Sequence, residues 1–298
     1  MVVRQEISDE VWAVFEPLMP VPAGRSRPWS DHRLAVEGMV WKYRTGAPWR
    51  DVPERFGKWN TIYKRFTRWA EDGTWELLLA EVQKQADQLG AIDWVVSIDS
   101  TIARVHQHGA TLPRIKKGSV SNYKNPLVEP ENHAIGRSRG GLTTKVHLVA
   151  DGKGRPLGMV VTAGNVNDTT MFAATLDDIR VPRERGRARS RPDRVLADKG
   201  YPSRAGRAWL RARGIAATIP ERSDQIAKRR KRAGRPIEFG EEQQQRYRGR
   251  NVVERCFNRL KQWRGIAMRS DKLARNYRAG VALESILIWI KTDLINTP

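Results

Sequence analysis

Apolar residues recur at helical spacing through the first ninety positions. Val11, Trp12, Phe15 and Leu18 follow Ser8 and Asp9, which suit a helix cap. Pro17, Pro20 and Pro22 end that helix, and the segment GRSRP makes a linker. Ser30 or Asp31 caps a second helix running through Arg44, with Leu34, Val36, Met39, Val40 and Tyr43 on it. TGAPW breaks it. A short helix over DVPERF, a turn at Gly57 and a helix from Asn60 to Glu71 follow, the last with Ile62, Phe66 and Trp69 inward. Helix, glycine turn, helix is a helix-turn-helix pattern. A further helix, Thr74 to Leu89, leads to Gly90, and there the period changes.

Beyond Gly90 the pattern alternates between strands and helices. Asp93 to Thr101 reads as a strand whose apolar run ends at Asp99, and residues 104–141 read as loop. Lys145 to Ala150 and Pro156 to Thr162 are two strands joined by the turn signal Asp151-Gly152. Asp168 is placed to cap a helix from Thr169 to Ile179. A short strand, Val195 to Ala197, ends at Asp198. Then come a helix over Ser203 to Arg213, a strand over Ile215 to Ile219, a helix over Tyr247 to Lys261 and an apolar helix over 279–295. The division is a small all-α, helix-turn-helix-like domain at 1–90 and an α/β domain, a mixed sheet with flanking helices, at 91–298. A helical first domain used only for packing or dimerisation fits the same pattern.

Charge sharpens the picture. The 298-residue chain has 54 Lys and Arg against 33 Asp and Glu, a net charge of +21. Residues 1–90 hold 13 of each sign, so the whole excess lies in the second part. Residues 180–235 alone hold 19 Lys and Arg against 5 Asp and Glu. Such a field fits a polyanionic partner better than a need for solubility. Within the neutral first part, Lys64, Arg65 and Arg68 form a basic face on the helix from Asn60 to Glu71, placed to read DNA. Arg137 and Arg139 beside Gly140 and Gly141 suit phosphate contact, or are simply a flexible basic loop. Lys228, Arg229, Arg230, Lys231 and Arg232 lie on a basic loop at about 222–240. Apolar runs such as ILIWI fall far short of a membrane span, and the start shows no signal-peptide core. One cysteine, Cys256, excludes an internal disulfide and a multi-cysteine zinc site; it reads as helix packing in a reducing cytoplasm. His106 and His108 are a metal-capable pair without further ligands.

The chemistry centres on the segment YRGRNVVERCFNRLK. Tyr247, Arg250, Glu254 and Lys261 fall within about 60° of one another on a helix, with Val253, Phe257 and Leu260 on an apolar stripe beside them. A lone Glu between cations is equally a solvated helix ion pair. Asp99 and Asp198, each at or near the end of a strand, change that. An acid there is costly unless paired or bound to metal. Three carboxylates brought together form an oxygen-ligand site for Mg²⁺ or Mn²⁺, and two such ions suit phosphodiester chemistry.

The Tyr-x2-Arg-x3-Glu-x6-Lys spacing, with SIDST around Asp99, GRSRGGLTTKVH at 136–147, GNVND at 164–168 and LADKGY at 196–201, resembles the bacterial insertion-sequence transposases of the DDE class, insertion-sequence-five family. RTGAPWRDVPERFGKWNTIYKRFTRW resembles the region that often precedes their catalytic domain. The resemblance implies an RNase H-like fold, catalytic Asp99, Asp198 and Glu254, and Mg²⁺ or Mn²⁺ dependence. It implies recognition of inverted repeats in double-stranded DNA, joining to target DNA, a homodimer or higher oligomer, and a place in the bacterial cytoplasm at the nucleoid. Lys261 and Arg250 would contact phosphate or orient Glu254, and Tyr247 would stack or hydrogen-bond. Two other readings share the motifs: a nuclease of the same fold that cuts without strand transfer, and a DNA-binding protein that has lost catalysis.

Overall fold

The computed structural model describes residues 6–21, 31–113, 128–231 and 239–295. Ser8 caps helix α1 (Asp9–Phe15), its hydroxyl accepting from the Val11 amide at 3.4 Å. Asp31 caps α2 (His32–Thr45) by accepting from the amides of Arg33 and Leu34; Ser30 and the GRSRP segment lie outside the described residues. α2 stops at Gly46, whose φ of 72° is the left-handed conformation that favours glycine.

The short helix expected over DVPERF does not form. Two single 3₁₀ turns, Trp49–Asp51 and Glu54–Phe56, stand there instead. Pro48 and Pro53 precede them in extended conformation and have no N–H for a helical ladder. The expected tight helix-turn-helix is therefore replaced by α2, an irregular connection and α3 (Trp59–Glu71). α3 buries Ile62, Phe66 and Trp69, as its periodicity requires. α4 (Thr74–Gln88) completes this helical region.

The sheet is built on β1 (Val95–Val105), which runs past the expected end at Thr101. β3 (Gly141–Ala150) pairs antiparallel with it, setting Asp99 opposite Leu148 and Ser100 opposite His147. The far edge of β3 is shared by β2 (Gly136–Ser138) and β4 (Pro156–Ala163), both antiparallel. On the other edge of β1 lie β5 (Arg194–Leu196), parallel, and then β6 (Ala216–Thr218), parallel to β5. β7 (Met268–Arg269) adds to β1 at Arg104 and Val105. The order β4–β3–β1–β5–β6, antiparallel on one side of β1 and parallel on the other, is the RNase H-like arrangement expected from the motifs. Asp151 makes the turn between β3 and β4, buried, with its carboxylate accepting from the amides of Lys153 and Arg155.

Helices flank this sheet. α5 (Asp168–Asp177) lies on β3 and β4, and α6 (Arg204–Ala212) packs beside it. α7 (Ser223–Arg230) stands where a loop was expected, followed by α8 (Glu241–Arg248) and α9 (Asn251–Leu260), which packs on β1 and β3. α10 (Arg264–Ala267) leads through β7 to α11 (Ala274–Trp289), an almost wholly buried helix.

α11 ties the two parts of the chain together. It packs on α2, α3, α4 and β4, within one hydrophobic core that runs from Ile7 to Ile290. Gly280 permits the closest approach: a Cβ there would sit 2.3 Å from Cε1 of Tyr43. The Tyr43 hydroxyl donates to Asp271 Oδ2 at 3.1 Å, and the Trp289 indole donates to the Pro156 carbonyl at 2.7 Å. Among the described residues no helix is long and apolar enough to cross a membrane.

Candidate active site

A central strand, a tight bend and a helix start carry the three acids. Asp99 lies in the middle of β1, not at its end, because the strand continues to Val105. Its Oδ1 accepts from the Ser100 amide at 2.8 Å. Asp198 lies two residues past β5, and its Oδ1 accepts from the Gly200 amide at 2.7 Å, which fixes the bend that leaves the strand. Glu254 stands in the first turn of α9, where the positive end of the helix favours an acid. Val252, Val253, Cys256, Phe257 and Leu260 are buried beneath it and anchor the helix. Burial pushes the Cys256 thiol up, so it stays protonated as a packing residue.

The single helix expected over Tyr247 to Lys261 is interrupted. α8 ends at Arg248 and α9 begins at Asn251, with Gly249 and Arg250 bonded back to Arg246 and Tyr247 in tighter three-residue turns. Tyr247 and Lys261 thus flank α9 instead of lying on it. Tyr247 is half-buried against Phe239, edge to face. Its phenol is pushed up mainly by burial, against the pull of Arg250, with the nearby Asp198, Glu254 and Asp99 adding to the rise. Lys261 caps the end of α9 and donates to the Ile102 carbonyl on β1 at 3.0 Å; burial lowers its ammonium.

Arg250 joins the acids. One nitrogen donates to Asp99 Oδ2 at 2.7 Å and another to Glu254 Oε1 at 2.8 Å. Burial raises the Asp99 carboxyl; the Ser100 amide and Arg250 pull it down, and Asp198 and Glu254 raise it again. Asp198 and Glu254 thus each lie within electrostatic reach of Asp99.

A second group of residues, given no role by the sequence reading, lies next to them. Tyr201, three residues past Asp198, is buried, and its phenol is raised by burial and then by Asp99, Asp168 and Asp198. Its hydroxyl makes no hydrogen bond of ordinary length; Ser100 is the side chain that interacts with it. Asp168 does not cap α5. Asn167 does, accepting from the Thr169 amide at 2.9 Å. Asp168, one residue later, accepts instead from Lys145 Nζ at 2.9 Å. His147 is buried on the same strand, bonded to Thr162 at 2.9 Å, with burial lowering its imidazole to about 4, so it is neutral at physiological pH. Register made these neighbours. Ser100 faces His147 across the β1–β3 pair, a relation visible only once the pairing is known.

The donor set of the three acids is all carboxylate, the hard oxygen chemistry that Mg²⁺ or Mn²⁺ prefers. Among the described residues no three His, Cys, Asp or Glu side chains stand close enough together to enclose an ion as they are. Between Asp99 and Glu254 the Arg250 guanidinium takes the place of a cation. A group whose partner is already a positive charge fits a divalent cation, provided the guanidinium swings aside.

The expected DNA-contacting residues are dispersed. Lys64 and Arg68 are exposed on α3, whereas Arg65 is half-buried over the Trp69 ring and does not point freely outward. Arg137 is exposed on β2 and Arg139 in the turn that joins β2 to β3. Lys228 and Arg230 are exposed on α7, and Lys231 is exposed at its end. Arg229 pairs with Glu221, and Arg232 lies outside the described residues. His106 and His108 sit side by side, ring centroids 4.8 Å apart, in a 3₁₀ turn past the end of β1.

Comparison with known proteins places the chain. The model of the family described as "Transposase DDE domain" matches residues 90–289. The family described as "Putative transposase of IS4/5 family" matches residues 7–79. The chain is 35% identical over 113 residues to "Uncharacterized protein y4sN" of Sinorhizobium fredii, covering 38% of this chain and 86% of that protein. It is 36% identical over 157 residues to "Putative transposase for insertion sequence element IS402" of Burkholderia cepacia, covering 52% of this chain and 66% of that protein. It is 28% identical over 151 residues to "Putative transposase for insertion sequence element IS6501" of Brucella ovis, covering 50% of this chain and 100% of that protein. Among solved structures, "Crystal structure of the Mos1 Strand Transfer Complex" is 12% identical and 82% covered on each side, with a TM-score of 0.25, too distant to bear on the site. The match over 90–289 takes in the whole sheet and Asp99, Asp198 and Glu254, so the chain belongs to the transposase DDE domain family and is a DNA transposase of the insertion-sequence type.

Proposed function

We propose that this transposase binds the inverted-repeat ends of an insertion sequence, hydrolyses a phosphodiester at each end and joins the freed 3′-hydroxyl to target DNA, with Asp99, Asp198 and Glu254 as its acids. The observation that supports this reading is that Arg250 joins Asp99 of β1 at 2.7 Å to Glu254 of α9 at 2.8 Å, with Asp198, past the end of β5, within electrostatic reach of Asp99. The three carboxylates would hold divalent cations, two by the chemistry of the reaction, and these supply Lewis acidity and charge neutralisation at the phosphodiester. Both steps are in-line displacements at phosphorus, so one set of acids serves both.

The other residues take supporting parts. Arg250 holds Glu254 and Asp99 in register until cation and DNA arrive. Lys261, held at the rim of β1, contacts a phosphate beside the acids. Tyr247, half-buried above α9, stacks on or hydrogen-bonds the DNA. Arg68 on α3 reads the element end, while Lys64, Arg137, Arg139, Lys228, Arg230 and Lys231 hold the backbone. Arg65 and Arg229 contribute less directly, since each is partly buried. The division of labour follows the chain: residues 1–90 recognise DNA, residues 91–298 carry the reaction, and two or more copies act together on paired ends.

The test is a cleavage assay on DNA carrying the element's own terminal repeats, read from its genomic flanks, with and without Mg²⁺. Wild type should cut at the repeat and leave a 3′-hydroxyl only with Mg²⁺. Asp99→Asn, Asp198→Asn and Glu254→Gln should each bind the ends but not cut them. Cutting without joining would favour the nuclease reading, and wild-type cutting by any one variant would remove that acid from the site.

A further inference from the structure

A groove of about 510 Å³ opens between α9 and α11. It begins with Arg255, about a quarter-turn around α9 from Glu254, so one helix separates it from the acids. Arg255 and Arg259 on α9 and Lys291 past the end of α11 line it, all exposed, and none of them forms an ion pair among the described residues. Trp263 forms a wall, half-buried, and Leu287 and Ile288 form an apolar floor.

One acid in it is buried without an ion pair among the described residues. Glu284 lies on the most buried helix of the protein, 3% exposed, and its Oε2 has no hydrogen-bond partner. Burial raises its carboxyl well above the usual range, against the pull of Lys291 and Arg259. A buried carboxyl left unpaired is destabilising, and an apolar residue of similar size would suit that helix better. Its carboxyl lines a groove rimmed by three exposed cations, of which Lys291 and Arg259 act on it electrostatically, and by an aromatic wall.

The features match the parts of a nucleotide. Arginine and lysine suit a phosphodiester, an indole suits stacking on a base, and a carboxyl suits a base edge. The volume takes one nucleotide unit and is far too small for a duplex. We propose that this groove binds one nucleotide of a single DNA strand passing the active site, with its phosphate on Arg255, Arg259 and Lys291, its base on Trp263 and its base edge on Glu284. The proposal rests on the reading of the protein as a DNA-cutting enzyme, and its test is separable from cutting.

The test measures binding without metal, by fluorescence anisotropy of a labelled 12-nucleotide single strand and of the same sequence as a duplex. The parent is the full chain carrying Asp99→Asn. Arg255→Gln with Arg259→Gln should weaken single-strand binding about tenfold and reduce the salt slope by about 0.7–1.4, the value for one or two lost phosphate contacts. Glu284→Leu should also weaken single-strand binding, yet leave the urea midpoint unchanged or higher, which a purely structural role would not produce. Duplex binding should change less in both. Single-strand binding like the parent's in both variants, or equal losses for strand and duplex, overturns the proposal. Wild type that fails to cut repeat ends while these variants lose single-strand affinity would remove the reaction and keep the groove.

Discussion

Replacing Arg250 with alanine probes the site where its electrostatics are strongest. The guanidinium donates to Asp99 at 2.7 Å and to Glu254 at 2.8 Å. The side chains of Arg250 and Asp99 are 14% and 19% exposed, so the first bond lies mostly out of water; Glu254, at 50%, is half in it. A charge-assisted bond of the first kind contributes about 1.5–3 kcal/mol, and an exposed pair like the second about 0.2–1 kcal/mol. Arg250→Ala should therefore cost about 2–3 kcal/mol near neutral pH. The loss carries a pH signature. Burial already raises the Asp99 carboxyl above its unfolded value, and without Arg250 it rises further. A carboxyl raised in the folded state contributes stability in its protonated form, fully present below an unfolded value of about 4 and lost as pH rises through the folded one. The deficit of the variant should thus be largest near pH 7 and shrink toward pH 4, where Asp99 takes up its proton and no longer needs a cation. Urea denaturation of both proteins at several pH values in that range measures it. Mg²⁺ should restore more stability to the variant than to wild type, because it replaces the missing charge. A deficit that does not change with pH, or a variant as stable as wild type near neutral pH, would refute the reasoning.

Gly280→Ala should lower stability by about 1–3 kcal/mol or more, since its Cβ would meet the Tyr43 ring at 2.3 Å; thermal unfolding checks it. Asn167→Ala should cost about 1 kcal/mol through loss of the α5 cap, while Asp168→Asn should keep that cap and lose only the half-exposed pair with Lys145, about 0.2–1 kcal/mol; urea midpoints of the two variants decide between Asn167 and Asp168 as the cap. Arg68→Ala should narrow the affinity gap between repeat-end and random DNA by about 1–3 kcal/mol, and Lys64→Ala should weaken both equally, as read in a competition titration.

Much of this was legible in the chain. The apolar patterns placed α3 and β4 within a residue and located α9 and α11 with ends shifted by up to six residues, because each buries apolar residues against the core. Asp99, Asp198 and Glu254 stood out through the resemblance of their motifs to a transposase family, since widely separated acids are a weak signal by spacing alone. What failed had local causes. Pro48 and Pro53, both extended and without an N–H, leave two 3₁₀ turns where a helix over DVPERF was expected. Asn167 and Asp168 are both good caps, and only the backbone bond to Thr169 decides between them. β1 ran past Thr101 because β3 and β7 continued the pairing there, a long-range contact with no local signal. Arg65 looked outward on a helical wheel, yet it lies over Trp69. Tyr201, Lys145 and His147 went without roles, because their neighbours arrive from other strands.

The central claim is that Asp99, Asp198 and Glu254 form one cation site. Its most direct test is Mn²⁺ binding by the full-length protein with repeat-end DNA, followed by the loss of free Mn²⁺ signal in electron paramagnetic resonance. Wild type should bind Mn²⁺, Asp99→Asn, Asp198→Asn and Glu254→Gln should each weaken that binding about tenfold or more, and Asp168→Asn should bind as wild type does. Equal Mn²⁺ binding by wild type and all three acid variants would contradict it.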